Sequence, residues 1–286
     1  MAIGDAWKMH QADPLRRKVA IGDGHTVALD ALELAYGLEH FIANQDEAAE
    51  GDVNWVHSYS GNRPYIDYEA MEAECRLRGI VVAKRRKMLM RLGRYIWRKD
   101  YRPTPAPIKI APEHKVAVDF WESRRPLDEQ GKPFVLLEPF IKSVAPPSKQ
   151  YPVHKFLQVA EQLSRYVRVY QISTPDRPGL GTLPMIRPQS FQQAMGFIQA
   201  ASLYIGPEGG LHHAAAAVGT PAVVIFGGFI SPNVTGYENH INLTGGVDHS
   251  CGTRYGVCPH CTKAFANIPP DEIVQHARRL LQGGSP

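Results

Sequence analysis

The segment that most constrains this chain runs from Ser202 to Gly228 and reads SLYIGPEGGLHHAAAAVGTPAVVIFGG. Two short apolar runs, Ser202–Gly206 and Ala222–Phe226, are bounded by turn residues and read as buried strands. Between them lies an alanine-rich stretch, Gly210–Val218, with high helix propensity. Strands joined by one helical crossover run parallel, and a parallel sheet needs helices over both faces. The chain is therefore expected to be an α/β protein. Gly209 and Gly210 let the backbone approach a ligand closely. The first helical turn then offers free N–H groups and the positive end of the helix dipole, which suits a phosphate. Glu208 stands at the same edge, where a carboxylate can accept hydrogen bonds from ribose hydroxyls. A plain tight turn with an acidic charge at the helix start would use the same residues.

The pattern repeats upstream. Phe134–Glu138 and Val167–Ile172 read as strands, and Gln189–Ala201 as a helix. Pro152 opens a further helix whose Val153, Phe156, Leu157, Ala160 and Leu163 share one face. With a closing helix at Pro270–Leu281, this half is β-α-β-α-β-α-β, a half-Rossmann arrangement. In the first half Lys18–Ile21, Val53–His57 and Gly79–Ala83 are predicted strands, and Thr26–Leu38 and Ile66–Leu77 predicted helices. Four prolines between Tyr101 and Lys115 exclude a helix interior there. These features divide the chain near residue 130, into 1–130 and 131–286. No apolar stretch at the N-terminus resembles a signal peptide. Residues 214–230 are interrupted by Gly219, Pro221, Gly227 and Gly228, so no segment is expected to span a bilayer. Four cysteines in 286 residues are too few for a disulfide scaffold, and the expected location is cytoplasmic.

GPEGGLHHAAAAVGTPAVVIFGG resembles the C-terminal signature of the family 9 glycosyltransferases, the ADP-heptose:lipopolysaccharide heptosyltransferase group. That pattern is Gly-x-Asp-(Thr/Gly)-Gly, a small-residue helix, Gly-Thr-Pro and an apolar strand ending in Gly. The resemblance implies a GT-B architecture: two Rossmann-like domains facing across a cleft, with a small N-terminal domain on the acceptor side. It implies that the C-terminal domain binds the donor, an ADP- or UDP-sugar, through Gly206, Pro207, Glu208, Gly209, Gly210, Leu211 and His212. Glu208 replaces the family's usual Asp, and His212 and His213 are a further departure. The family places a lysine before an aromatic–Pro pair against the donor diphosphate. Here PPSKQYPVHKF supplies Lys149 ahead of Tyr151 and Pro152, with Ser143 or Ser148 as the nearby hydroxyl.

In the N-terminal half, KVAIGDGHTVALDAL resembles the family's first strand and Gly-Asp turn. This implies Asp23 as the general base that takes the acceptor hydroxyl's proton, with His25 as a competitor. The sequence has no Asp-x-Asp triplet, so leaving-group stabilisation is assigned to Lys149 and a helix N-terminus. The implied enzyme is an inverting transferase needing no cofactor for catalysis.

Near the C-terminus, Cys251, Cys258 and Cys261 have C-x6-C-x2-C spacing, with His249 and His260 close by. Two thiolates on a C-x2-C knuckle, Cys251 and a histidine such as His249 can complete four ligands for a structural zinc. Autotransporter heptosyltransferases related to this family carry cysteine-ligated iron in this region, with different spacing, so iron is the other candidate. Reduced thiols in a loop are the alternative.

Residues 76–102 hold eleven basic residues against the single Asp100, a net +10 in a chain whose total is +4. Lys84, Lys87, Arg91, Arg94 and Arg98 are spaced 3, 4, 3, 4 and predict one basic helical face. So much like charge points to an anionic partner: a lipid-linked surface glycan with peripheral membrane contact, or DNA. Arg63 and Tyr65 lie in a neighbouring acceptor-side loop. The function read from these features is sugar transfer to a hydroxyl of an anionic acceptor, best matched by a bacterial surface glycan. Transfer to a modified DNA base, or a non-catalytic binding module of the same fold, are the alternatives.

Overall fold

The computed structural model describes residues 1–58, 61–173, 177–247 and 250–286. The first half contains helix α1 (Ala2–Ala12), strand β1 (Val19–Gly22), helices α2 (Leu29–Glu33) and α3 (Gln45–Ala49), strand β2 (Asn54–His57), and helices α4 (Tyr68–Leu77) and α5 (Met88–Leu92). Next come α6 (Pro112–Glu122), β3 (Phe134–Leu137), α7 (Val153–Leu163), β4 (Arg168–Ile172), β5 (Met185–Ile186) and α8 (Phe191–Ala200). The chain ends with β6 (Leu203–Pro207), α9 (Gly210–Val218), β7 (Ala222–Ile225), α10 (Pro232–Thr235), β8 (His240–Leu243), α11 (Pro259–Ala266) and α12 (Pro270–Leu281).

The second half is a six-stranded sheet in the order β5-β4-β3-β6-β7-β8, with every neighbouring pair parallel. β3 lies at its centre, with Leu136 beside Tyr170 on one flank and Tyr204 on the other. β3, β6 and β7 are buried along their whole length, as expected for strands covered on both faces. Small side chains let α9 lie close to the sheet: Ala214, Ala215 and Ala216 are all buried. Gly219 ends that helix in the left-handed region at φ 76°, and Thr220 N–H returns to Ala215 O. α12 buries Ile273, Val274, Ala277 and Leu280 on one stripe, each worth about 1–3 kcal/mol of apolar burial.

The first half is lighter. Its sheet is the parallel pair β1-β2, with Val19 beside Asn54, and α1 packs on both strands. Ile110 and Val118, before the expected division at 130, belong to the C-terminal core, and α6 packs on α8.

Three expectations for this half are corrected. The predicted helix Thr26–Leu38 shrinks to α2, and successive turns carry the chain through Leu38. Gly79–Ala83 forms no strand: Gly79 turns at φ 64°, and Ile80 N–H returns to Cys75 O. Ile80 and Val82 thus pack on a small core with Met71, Cys75 and Met88. Nor is there one basic helix. Lys84 is extended, a 3-10 turn covers Arg85–Lys87, and Gly93 ends α5 at φ 74°. Lys84, Lys87, Arg91, Arg94 and Arg98 therefore do not share a helical face. Beyond Gly93 the backbone is tied to the other half, where Tyr95 N–H donates to Gly252 O and Arg254 N–H to Gly93 O.

Candidate donor site and interdomain cleft

The head of α9 sits between two cavities. The first, about 420 Å³, is bounded by Ile21, Asp30, Ser58 and Arg63 from the first half and by Gly210 and His213 from the second. The second, about 290 Å³, lies wholly in the second half, against Glu138, Phe140, Lys142, Ser173 and Leu211. Phe191 lines both. The C-terminal edge of a parallel sheet at a helix N-terminus is where nucleotide ligands bind in open α/β folds.

The turn into α9 is shaped by packing. At Gly206 a Cβ would overlap the Tyr204 hydroxyl and stand 3.0 Å from the Glu138 Cβ. His212 closes the turn: Gly209 N–H donates to its Nδ1 at 2.9 Å, so its Nε2 carries the proton and donates to Thr235 O at 2.9 Å. The ring is fully buried, and that burial lowers its pKa and keeps it neutral. His212 thus holds the loop, with both nitrogens engaged by backbone. It is therefore not free to join Glu208 and His213 around a metal ion, although their ligand atoms lie within 4.8 Å of one another. His213 turns toward the cleft, its Nδ1 2.9 Å from the Tyr237 hydroxyl.

Glu208 and Lys149 form a buried ion pair, and the Lys149 ammonium also lies 5.5 Å from the centre of the Phe229 ring. Burial alone would raise the Glu208 carboxyl, but the Lys149 ammonium beside it holds it below the usual range. Ser148 is buried and donates to Thr253 O at 3.1 Å, so its hydroxyl anchors the cysteine-bearing loop.

Two residues of this site escaped the sequence reading. Lys142 lines the smaller cavity, and its ammonium would lie 3.8 Å from a Cβ placed on Gly210. Glu138 is the other: its carboxylate accepts from the Tyr204 hydroxyl, and burial pushes its pKa up to about 7. The signal available was a charged residue at each end of EPFIK, directly after a fully apolar strand.

On the opposite side, Asp23 and His25 follow β1 and are exposed. Asp23 Oδ1 accepts from Thr26 N–H at 2.7 Å and His25 N–H at 3.0 Å, bonds that lower its pKa. Neither is among the residues lining the cleft cavity, where the carboxylate is Asp30. Arg63 reaches the cleft, donating to Ser58 O at 3.4 Å and to the Tyr65 hydroxyl at 3.3 Å. Tyr65 stacks on Trp97, whose Nε1–H donates to Phe229 O at 3.1 Å. The acceptor-side loop is therefore joined to the donor side through aromatic rings. Arg94 is paired with Glu74 at 2.5 Å and Arg98 with Asp100 at 3.6 Å, whereas Arg91 is exposed on α5.

Cys251, Cys258 and Cys261 converge, with their sulfur atoms within 4.8 Å of one another and Cys251 Sγ 3.2 Å from Cys261 Sγ. They are close enough to bind a metal ion; His249 lies outside the described residues. Their loop holds both halves. Cys251 N–H donates to Gly228 O and Gly252 N–H to Phe229 O, while Gly252 O accepts from Tyr95.

No curated protein sequence matches the chain. The glycosyltransferase family 9 (heptosyltransferase) model matches residues 107–254. Among solved structures, the chain is similar to a family 9 glycosyl transferase from Veillonella parvula, at 12% identity and TM-score 0.55, covering 94% of this chain and 98% of that one. It is also similar to E. coli ADP-heptose lps heptosyltransferase II, at 17% identity and TM-score 0.50 over 99% and 82% of the two chains. A third is the iron-containing dodecameric glycosyltransferase TibC from enterotoxigenic E. coli H10407, at 14% identity and TM-score 0.55 over 93% and 77%. The fold is thus the GT-B-like α/β arrangement of these structures, and the family model covers just over half of the chain. The chain belongs to glycosyltransferase family 9 and is a nucleotide-sugar glycosyltransferase.

Proposed function

We propose that the protein is an inverting transferase that moves a heptose or related sugar from an ADP-sugar, or a UDP-sugar, to a hydroxyl of an anionic bacterial surface glycan in the cytoplasm. One observation carries this reading: the N-terminus of α9 separates a cavity of nucleoside size from the interdomain cleft. A nucleoside in the smaller cavity places its diphosphate at Gly210 and Leu211 and its sugar in the cleft. Pro207 and Gly206 then form the floor beneath the diphosphate.

In the proposed reaction the acceptor oxygen attacks the anomeric carbon from the face opposite the diphosphate. The new C–O bond forms as the bond to the leaving phosphate oxygen breaks. Asp23 receives the hydroxyl proton, with His25 as its competitor. Lys149, Lys142 and the first-turn N–H groups of α9 stabilise the departing diphosphate, so the leaving group does not depend on a metal ion. Gly209 N–H is not among these donors, because His212 uses it. Glu208 acts here chiefly by holding Lys149, a change from the ribose contact read in the sequence. Arg63 and Tyr65 line the approach of the acceptor.

The three thiols are proposed to hold a structural zinc or iron ion, with a histidine such as His249 as the fourth ligand read from the sequence. Such an ion would hold the loop that joins Ser148, Phe229 and Tyr95, and would take no part in sugar transfer.

A thermal-shift series with ADP-, UDP- and GDP-heptose tests the donor assignment, since a ligand that binds the folded state raises its melting temperature. ADP-heptose is expected to give the largest shift. If none of the three shifts the midpoint, the reading fails.

A further inference from the structure

The small core beside the cleft carries an outer surface that the transfer reaction does not use. Met71 and Cys75 of α4 face Met88 and Leu92 of α5. Pointing away from that core, Leu77, Val81 and Met90 are 88%, 90% and 70% exposed. Arg76, Lys84, Lys87 and Arg91 are interleaved with them, all exposed and without an ion-pair partner among the described residues. Of the acidic residues of α4, Glu72 is engaged with Arg85 and Glu74 with Arg78 and Arg94, while Glu69, in the first turn at the other end of the helix from Leu77, is exposed.

We propose that this α4–α5 knob seats the protein on an anionic lipid bilayer. The side chains favour that occupant over others. Free Lys and Arg are attracted to anionic headgroups near the surface. Leu77, Val81 and Met90 each place a single apolar side chain where the acyl boundary would receive it. Duplex DNA would satisfy the cations but leave these three chains in water. A protein partner calls for a contiguous apolar patch with lysine depleted, and here Lys84 and Lys87 fall between Val81 and Met90 in the chain, both exposed. The inference deepens the acceptor reading above, since a lipid-linked glycan lies at such a surface. It is tested without donor or acceptor, so that the two stand or fall separately.

The full-length protein is floated with phosphatidylcholine vesicles, with and without phosphatidylglycerol, at several salt concentrations. Binding is expected only to the anionic vesicles and should weaken as salt rises. Leu77→Ser/Val81→Ser/Met90→Ser and, separately, Lys84→Glu/Lys87→Glu should each reduce it roughly tenfold or more, with nucleotide-diphosphate affinity unchanged. Vesicle binding that survives the triple serine variant overturns the proposal. So does tighter binding to duplex DNA than to anionic vesicles, or an oligomer that the triple variant dissociates while vesicles bind neither protein.

Discussion

Lys149 and Glu208 form an ion pair at the head of α9, with 14% and 8% of their side chains exposed. One residue ends the 3-10 turn Pro147–Lys149 and the other opens the turn after β6, so the pair ties two connections at one sheet edge. A buried charge is stable only with its partner, and here the pairing also holds a cation where the donor diphosphate is proposed to lie.

Lys149→Ala is therefore expected to weaken nucleotide-diphosphate binding by about 2 kcal/mol, some thirtyfold in Kd by calorimetry. It should also lower the melting temperature of the free protein, because the Glu208 carboxylate is left buried and unpaired. Lys149→Ala/Glu208→Gln should recover that stability without recovering the affinity. An unchanged Kd in the single variant removes Lys149 from the donor site.

Asp23→Asn should abolish sugar transfer while nucleotide-diphosphate affinity stays within about twofold, because the base acts on the acceptor. His25→Ala and Asp30→Asn are the informative comparisons. If either of these loses transfer but keeps donor affinity while Asp23→Asn retains activity, the base moves to that residue.

Glu138 makes the stability depend on pH. Its carboxyl titrates at about 7 in the folded protein, against an ordinary value of 4.5 when unfolded. Between these values the folded state holds a proton that the unfolded state releases. Stability from this group is thus complete below pH 4.5 and is lost as pH rises through 7, on the order of 3 kcal/mol in all. Chemical denaturation across that range should show the decline, and Glu138→Gln should flatten it. A slope unaltered by Glu138→Gln would place the titration elsewhere.

Metal content tests the thiol cluster directly. Protein purified under reducing conditions is expected to hold about one zinc or iron per chain by elemental analysis, and Cys258→Ser/Cys261→Ser to lose it. Cys75→Ser should keep it, because Cys75 lies in the separate α4–α5 core. Absence of bound metal in the unaltered protein would leave three reduced thiols as the correct description.

The sequence by itself determined the C-terminal sheet and the donor turn. Phe134–Leu137, Leu203–Pro207 and Ala222–Ile225 are apolar along their length, and only strands covered on both faces bury every side chain. The alanines of α9 and the glycine that stops it act locally, so their meaning is legible residue by residue. Tertiary structure decided what followed from distant contacts. The 3, 4, 3, 4 spacing of Lys84 to Arg98 carried a helical period, but Gly93 turned left-handed and Tyr95 paired with Gly252, more than 150 residues away. Glu72 and Glu74, just outside the basic segment, neutralised part of its charge. Lys142 and Glu138 reached the site because β3 ends beside β6, and no local pattern marks which loop residue will face a cavity. Periodicity and propensity report a residue's neighbours along the chain; the partners that place a charge in a site, or break a helix, come from chain segments brought close only by folding.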